Sequence, residues 1–179
     1  MRNSILILCI LFSISVYSQS DSTEQRLTFA EKFEFGGSLG IDPFGTSALS
    51  VSLSPVGIYH LHPRVHLGGR LNFTYTKDLV STNDNIRYGG SAFLRGIVSD
   101  SFYGQVELEE LNVYTPTLSR PRTWRSIIMV GAGYKHKVNV INTFFTTMLI
   151  LNYNSNTPYS SFYIVRAGAT VLLSDIKGN

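Results

Sequence analysis

Cysteine is all but missing from this 179-residue chain: Cys9 is the only one, and it lies in an apolar stretch near the amino terminus. A single thiol excludes a disulfide framework and a thiolate metal site. Charge is also scarce, with only 15% of residues Asp, Glu, Lys or Arg and a formal net charge of +3. So small a surplus gives no electrostatic footprint for nucleic acid. Long apolar runs are absent too. The run from Ile5 to Ile14 is about ten residues, half of what spans a bilayer as a helix. No helical period follows it, so a membrane location would have to be built from strands.

That short run has the layout of a secretory signal. Arg2 supplies the positive end, and Val16-Tyr17-Ser18 offers the two positions that a signal peptidase reads. Residues 1–18 are expected to be a cleaved signal peptide, with the mature chain starting near Gln19. The run is too short for an uncleaved anchor. Cys9 follows Leu8, whereas lipoprotein boxes need a small residue there, so lipidation is not expected. Residues 19–32 are polar and without period, a flexible N-terminal segment.

What the chain does have is a rhythm. Over Val65 to Thr76 the odd positions read Val, Leu, Gly, Leu, Phe, Tyr and the even ones His, Gly, Arg, Asn, Thr, Thr. Successive side chains of a strand point to opposite faces, so one face is apolar and the other polar. Eight such stretches fill residues 33–173, leaving 174–179 as a C-terminal tail. They are expected at 33–41, 47–59, 65–76, 87–98, from 102, 124–135, 140–153 and from Tyr159. Pro55 has no ladder donor, so a bulge or break is expected there. The seventh stretch is apolar on both faces, and its facing is ambiguous. Short turns near 60, 100 and 137 alternate with longer connections near 80, 118 and 155, as in an up-and-down barrel with unlike rims.

Two architectures fit. In an outer-membrane barrel the apolar face meets lipid and the polar face fills the interior. In a lipocalin-like barrel the apolar face lines a ligand cavity and the polar face meets water. Three features favour the first. The polar face is rich in small and hydroxylic residues such as Ser50, Ser52, Ser54, Asn72 and Thr74, and poor in lysine. Its charges come in both signs, Arg70, Arg87, Arg95, Arg125 and Arg166 against Glu34, Glu107 and Glu109, and can neutralise one another inside a narrow cylinder. Tyr59, Tyr75, Tyr88, Trp124, Tyr134, Tyr153 and Tyr159 collect near strand ends, as aromatic girdles do. The expected fold is therefore an all-β, eight-stranded antiparallel up-and-down transmembrane β-barrel, with both termini on the short-turn side. Against the carrier, Gly37-Ser38-Leu39 lacks the tryptophan that lipocalins place near their first strand.

The run Leu53 to Leu61 followed by Arg64 to Gly68 resembles the small outer-membrane β-barrel proteins common in Bacteroidetes, eight-stranded and OmpA/OmpX-like. Ala92 to Arg95 with Phe102 to Glu107 is similar to that family's next hairpin, and Ile164 to Gly168 to its closing strand. The resemblance implies an outer-membrane location, insertion by the outer-membrane machinery, and a non-enzymatic role in envelope structure or surface interaction. Such barrels usually end on an aromatic residue; this chain ends its last strand on Val171-Leu172-Leu173.

Candidate chemistry is thin. Of four histidines, His60 and His62 share a strand parity that could support a metal pair, but His60, His62, His66 and His136 all fall at short turns or strand ends. Acyl-chain chemistry on lipid A would need a histidine at the opposite rim. Glu109 and Glu110 are adjacent, face opposite sides and cannot share a substrate. No catalytic residue, metal or cofactor is expected. Gly36-Gly37, Gly68-Gly69 and Gly89-Gly90 precede no helix, so they suit curvature or a large neighbouring side chain better than a phosphate cradle. Arg120, Arg122, Trp124 and Arg125, in and beside the longest outer loop, are a candidate contact for lipopolysaccharide phosphates. The expected partners are outer-membrane lipids, with the barrel acting as a monomer.

Overall fold

The structure, a computed structural model, describes residues 28–42, 48–78, 85–114, 122–154, 157–159 and 161–177. The expected signal peptide, Ser47 and Arg120 lie outside these residues. Eight strands follow one another: β1 (Phe33–Asp42), β2 (Ala48–His62), β3 (Val65–Asp78), β4 (Asn85–Ile97), β5 (Phe102–Tyr114), β6 (Arg122–Val138), β7 (Ile141–Ile150) and β8 (Tyr163–Leu172). Each pairs antiparallel with the next, and β8 pairs back onto β1, closing a barrel with no free edge.

The β2–β3, β4–β5 and β6–β7 turns lie at the end of the barrel where β1 starts and β8 finishes; this end is the terminal rim. The opposite ends of the strands form the long-loop rim. Asn139 turns the β6–β7 hairpin with φ 55°, a left-handed conformation that asparagine tolerates well.

The alternation holds in three dimensions. On β5, Tyr103, Gln105, Glu107, Glu109 and Leu111 are buried, whereas Phe102, Val106, Leu108 and Glu110 are exposed. Register settles β7, whose composition could not: Phe144, Thr146, Met148 and Ile150 point inward and Phe145 and Leu149 outward. Three inner rings sit across from glycine on the neighbouring strand: Phe93 opposite Gly68, Tyr103 opposite Gly133, and Phe144 opposite Gly168. A Cβ at Gly68 would come within 2.1 Å of the Phe93 ring, so each glycine supplies the room its partner fills.

Several expectations change. At Pro55 the ladder breaks locally, as expected, but no bulge forms. Leu53 pairs with Phe73 and Val56 with Arg70 in one continuous register, so the missing N–H interrupts pairing without shifting it. The bulge lies instead between His60 and His62, next to the turn. Strand β7 stops at Ile150, and Tyr159 precedes β8 rather than opening it. The segment 19–32 ends in one helical turn, α1 (Phe29–Lys32), and the tail begins in another, α2 (Leu173–Lys177). The Thr28 N–H and hydroxyl both donate to Glu31 Oε2, at 2.6 and 2.8 Å, and hold that carboxyl below its usual range. The two turns touch at the terminal rim, where Lys137 on β6 reaches Asp175 on α2 at 3.6 Å.

Candidate functional site

The interior is where this chain concentrates its chemistry, and it is filled. Glu34, Arg70, Arg87, Arg95, Glu107, Glu109 and Arg166 all point into it, each at most 8% exposed. They sit at three levels, which Gln105 and Tyr159 join through Glu107 and Glu109.

At mid-height, Arg166 bridges the two inward-facing acids of β5, with Nη1 2.7 Å from Glu107 and Nη2 3.3 Å from Glu109. Arg70 donates through Nη1 to both oxygens of Glu107, at 3.0 and 3.2 Å. Asn72 donates to Glu109 at 2.5 Å. Two arginines face two glutamates, so the charges cancel where desolvation would otherwise be most costly. The register creates this cluster because β3 and β8 bring their basic positions to the height of the β5 acids from different sides of the bore.

Toward the terminal rim, Arg95 lies in an aromatic cage. Its guanidinium carbon is 4.0 Å from the centroid of the Tyr103 ring, 5.4 Å from Phe93 and 5.5 Å from Phe144. Its Nε and Nη2 both donate to Gln105 Oε1, and Gln105 passes a bond on to Glu107 at 2.9 Å. Below the cage, Glu34 accepts from Thr170 at 2.6 Å and sits 2.8 Å from His60 Nε2. His60 stacks on His66, with ring centroids 4.0 Å apart. The histidines that meet are thus His60 and His66, which share a register pair; the bulge separates His60 from His62. Stacked rings present their faces to each other, not their nitrogens to a common ion. Among the described residues no three His, Cys, Asp or Glu side chains are placed to hold a metal.

At the long-loop mouth, Tyr159 was expected in the outer girdle. It hangs into the bore instead and donates to Glu109 Oε2 at 2.6 Å. Burial, and then the adjoining carboxylate, push its phenol above the ordinary range. Arg87 donates to Thr76 Oγ1 at 3.0 Å and to the Pro158 carbonyl, and lies 5.8 Å from the Tyr159 ring. The cavity between Arg87, Tyr159 and Arg166 is only about 20 Å³, room for roughly one water.

Trp124 stands between the described arginines of the candidate phosphate contact. Arg122 and Trp124 lie on the outer surface with Tyr88: the Arg122 guanidinium carbon is 5.3 Å from the ring centroid, and the Trp124 ring meets it edge-on at 6.3 Å. Arg122 also donates to Asn112 at 3.0 Å. Arg125, one residue on, lines a recess of about 200 Å³ together with Trp124, Asn152 and Asn154. Asn72, Gln105, Thr170 and Tyr159 belong to the interior set as well. Parity alone could have suggested the first three. Tyr159 carried no such signal, because a tyrosine near a strand end reads the same whether it faces lipid or the bore.

No family model matches the chain, and no curated protein sequence does. A chain described under "De novo design of transmembrane beta-barrels" is similar in structure over 79% of this chain and 94% of that one, with 13% identity and a TM-score of 0.42.

Proposed function

We propose that the protein is an integral outer-membrane β-barrel with a plugged bore, acting without catalysis in envelope structure or surface interaction through its long-loop rim. The observation that carries this reading is the polarity of the wall. Leu39, Leu53, Leu71, Leu94, Val106 and Phe145 are about half exposed on the outside, while Arg70, Arg95, Glu107, Glu109 and Arg166 are sealed within. Water would penalise that outer surface, and a carrier of apolar ligands would need it inverted. The dimensions agree. Ten-residue strands such as β7, tilted as in known barrels, cover roughly 25 Å, the height of an outer-membrane apolar band. The resemblance to small Bacteroidetes barrels supports the same location, and Arg125 with its open recess is the better placed of the described arginines to meet lipopolysaccharide phosphates.

Membrane fractionation with heat-modifiability tests this directly. A folded band that needs detergent and shifts on boiling is expected; full solubility in plain buffer would overturn the reading in favour of the carrier. No stable conductance steps are expected in planar bilayers, because among the described residues the interior is occupied by buried side chains at all three levels.

A further inference from the structure

A sizeable hollow lies outside the bore. It is a groove of about 620 Å³ across β1 to β5. One register row forms its floor: Phe35 pairs with Gly57, Gly57 with Gly69, Gly69 with Ala92, and Ala92 with Leu108. The row climbs, because Phe35 is the third residue of β1 and Leu108 the seventh of β5, and both strands start at the terminal rim. Small side chains therefore cut an oblique channel in an otherwise apolar wall. Phe33 and Phe35 close its lower end.

Its upper end is closed by Glu110, and this residue is the anomaly. It is an exposed carboxylate on the face that the proposed function turns to lipid. Its bond among the described residues comes from the Ser126 hydroxyl to Oε1, leaving Oε2 without a donor. Glu110 pairs with Gly90, and the next outward row above it is Tyr88, Asn112 and Trp124. The acid thus sits one row beneath an aromatic belt, at the depth where chains end and heads begin.

We infer that the groove seats one acyl chain of a bilayer lipid whose primary ammonium donates to Glu110. The inference rests on the membrane reading above. Charge and hydrogen bonding select the head, because a carboxylate oxygen in a half-wet interface complements a cation that carries N–H groups. Shape selects a chain over a second copy of the protein, since a two-fold contact through this patch would set hollow against hollow.

The test is native mass spectrometry of the refolded barrel with ethanolamine-headed and choline-headed phospholipids of identical chains. The choline head carries the same charge but no N–H donor. The wild type should retain the ethanolamine lipid about fivefold better, the scale of one charge-assisted bond at a wet interface. Glu110→Gln should remove that preference while leaving choline-lipid retention unchanged. Gly69→Leu should reduce both, and it should fold, because a Cβ at Gly69 meets nothing nearer than the Ser91 carbonyl at 3.7 Å. Equal retention of the two lipids, a preference that survives Glu110→Gln, indifference to Gly69→Leu, or a dimer in place of lipid adducts would each overturn the inference. Heat-modifiability of the same samples separates the two failures: a barrel that shifts on boiling yet holds no lipid discards the groove alone.

Discussion

Along β5 two surfaces of one strand differ in almost everything except sequence position. The inner one runs Tyr103, Gln105, Glu107, Glu109, Leu111, and the outer one Phe102, Gly104, Val106, Leu108, Glu110. Glu109 is 0% exposed and receives bonds from Asn72, Arg166 and Tyr159. Glu110, its neighbour, faces out beside Ser126. The lesson is that burial alone does not set the cost of a charge in this barrel. Inside, each acid is surrounded by donors; outside, an apolar side chain is favoured wherever no donor is available.

Glu107→Gln should break the inner surface most severely. It leaves Arg70 and the Nη1 of Arg166 without their carboxylate in a dry bore, a loss of about 3–5 kcal/mol by urea unfolding in detergent. A loss below about 1 kcal/mol would mean that water reaches the bore. Leu94→Arg challenges the outer surface. Leu94 is 49% exposed and lies in a row with Leu67 and Val106, so a cation there should cost about 2–4 kcal/mol for a barrel refolded into vesicles. A soluble barrel would tolerate the change. Tyr159→Phe should cost least, about 1 kcal/mol for one hydrogen bond, and should loosen the mouth without altering insertion. Its sign with pH is fixed. The folded phenol titrates above its unfolded value, so its contribution is complete below about pH 10 and declines as pH rises beyond that. The stability gap between wild type and Tyr159→Phe should therefore narrow in alkali.

Much of this architecture was legible in the residues because the strand period is an integer. Two strictly alternating faces of β3 and β5 can be assigned without coordinates, and a slip of one residue would turn every side chain over. The inward set Glu34, Arg70, Arg87, Arg95, Glu107, Glu109 and Arg166 follows from that parity. Their partners do not, because which arginine meets which glutamate depends on how eight strands are staggered around the closure. The two apolar faces of β7 needed the neighbouring strands for the same reason. Local chemistry was read correctly at one point and misled at another. Pro55 removes a donor and breaks the ladder without displacing its neighbours, and the bulge lies at the His60–His62 step where the hairpin tightens. Tyr159 has the composition of a girdle residue but belongs to a connection that folds into the mouth.

The ring-and-glycine matches across neighbouring strands carry a consequence for assembly. Parity forbids an error of one residue but is blind to an error of two, which keeps every side chain on its proper side. A two-residue shift would set Phe93 against His66 or Arg70 instead of Gly68, and Phe144 against Arg166 or Thr170 instead of Gly168. Neither ring would find its vacancy. The fold therefore has a second, coarser lock on stave alignment, engaging at the moment neighbouring hairpins zip together.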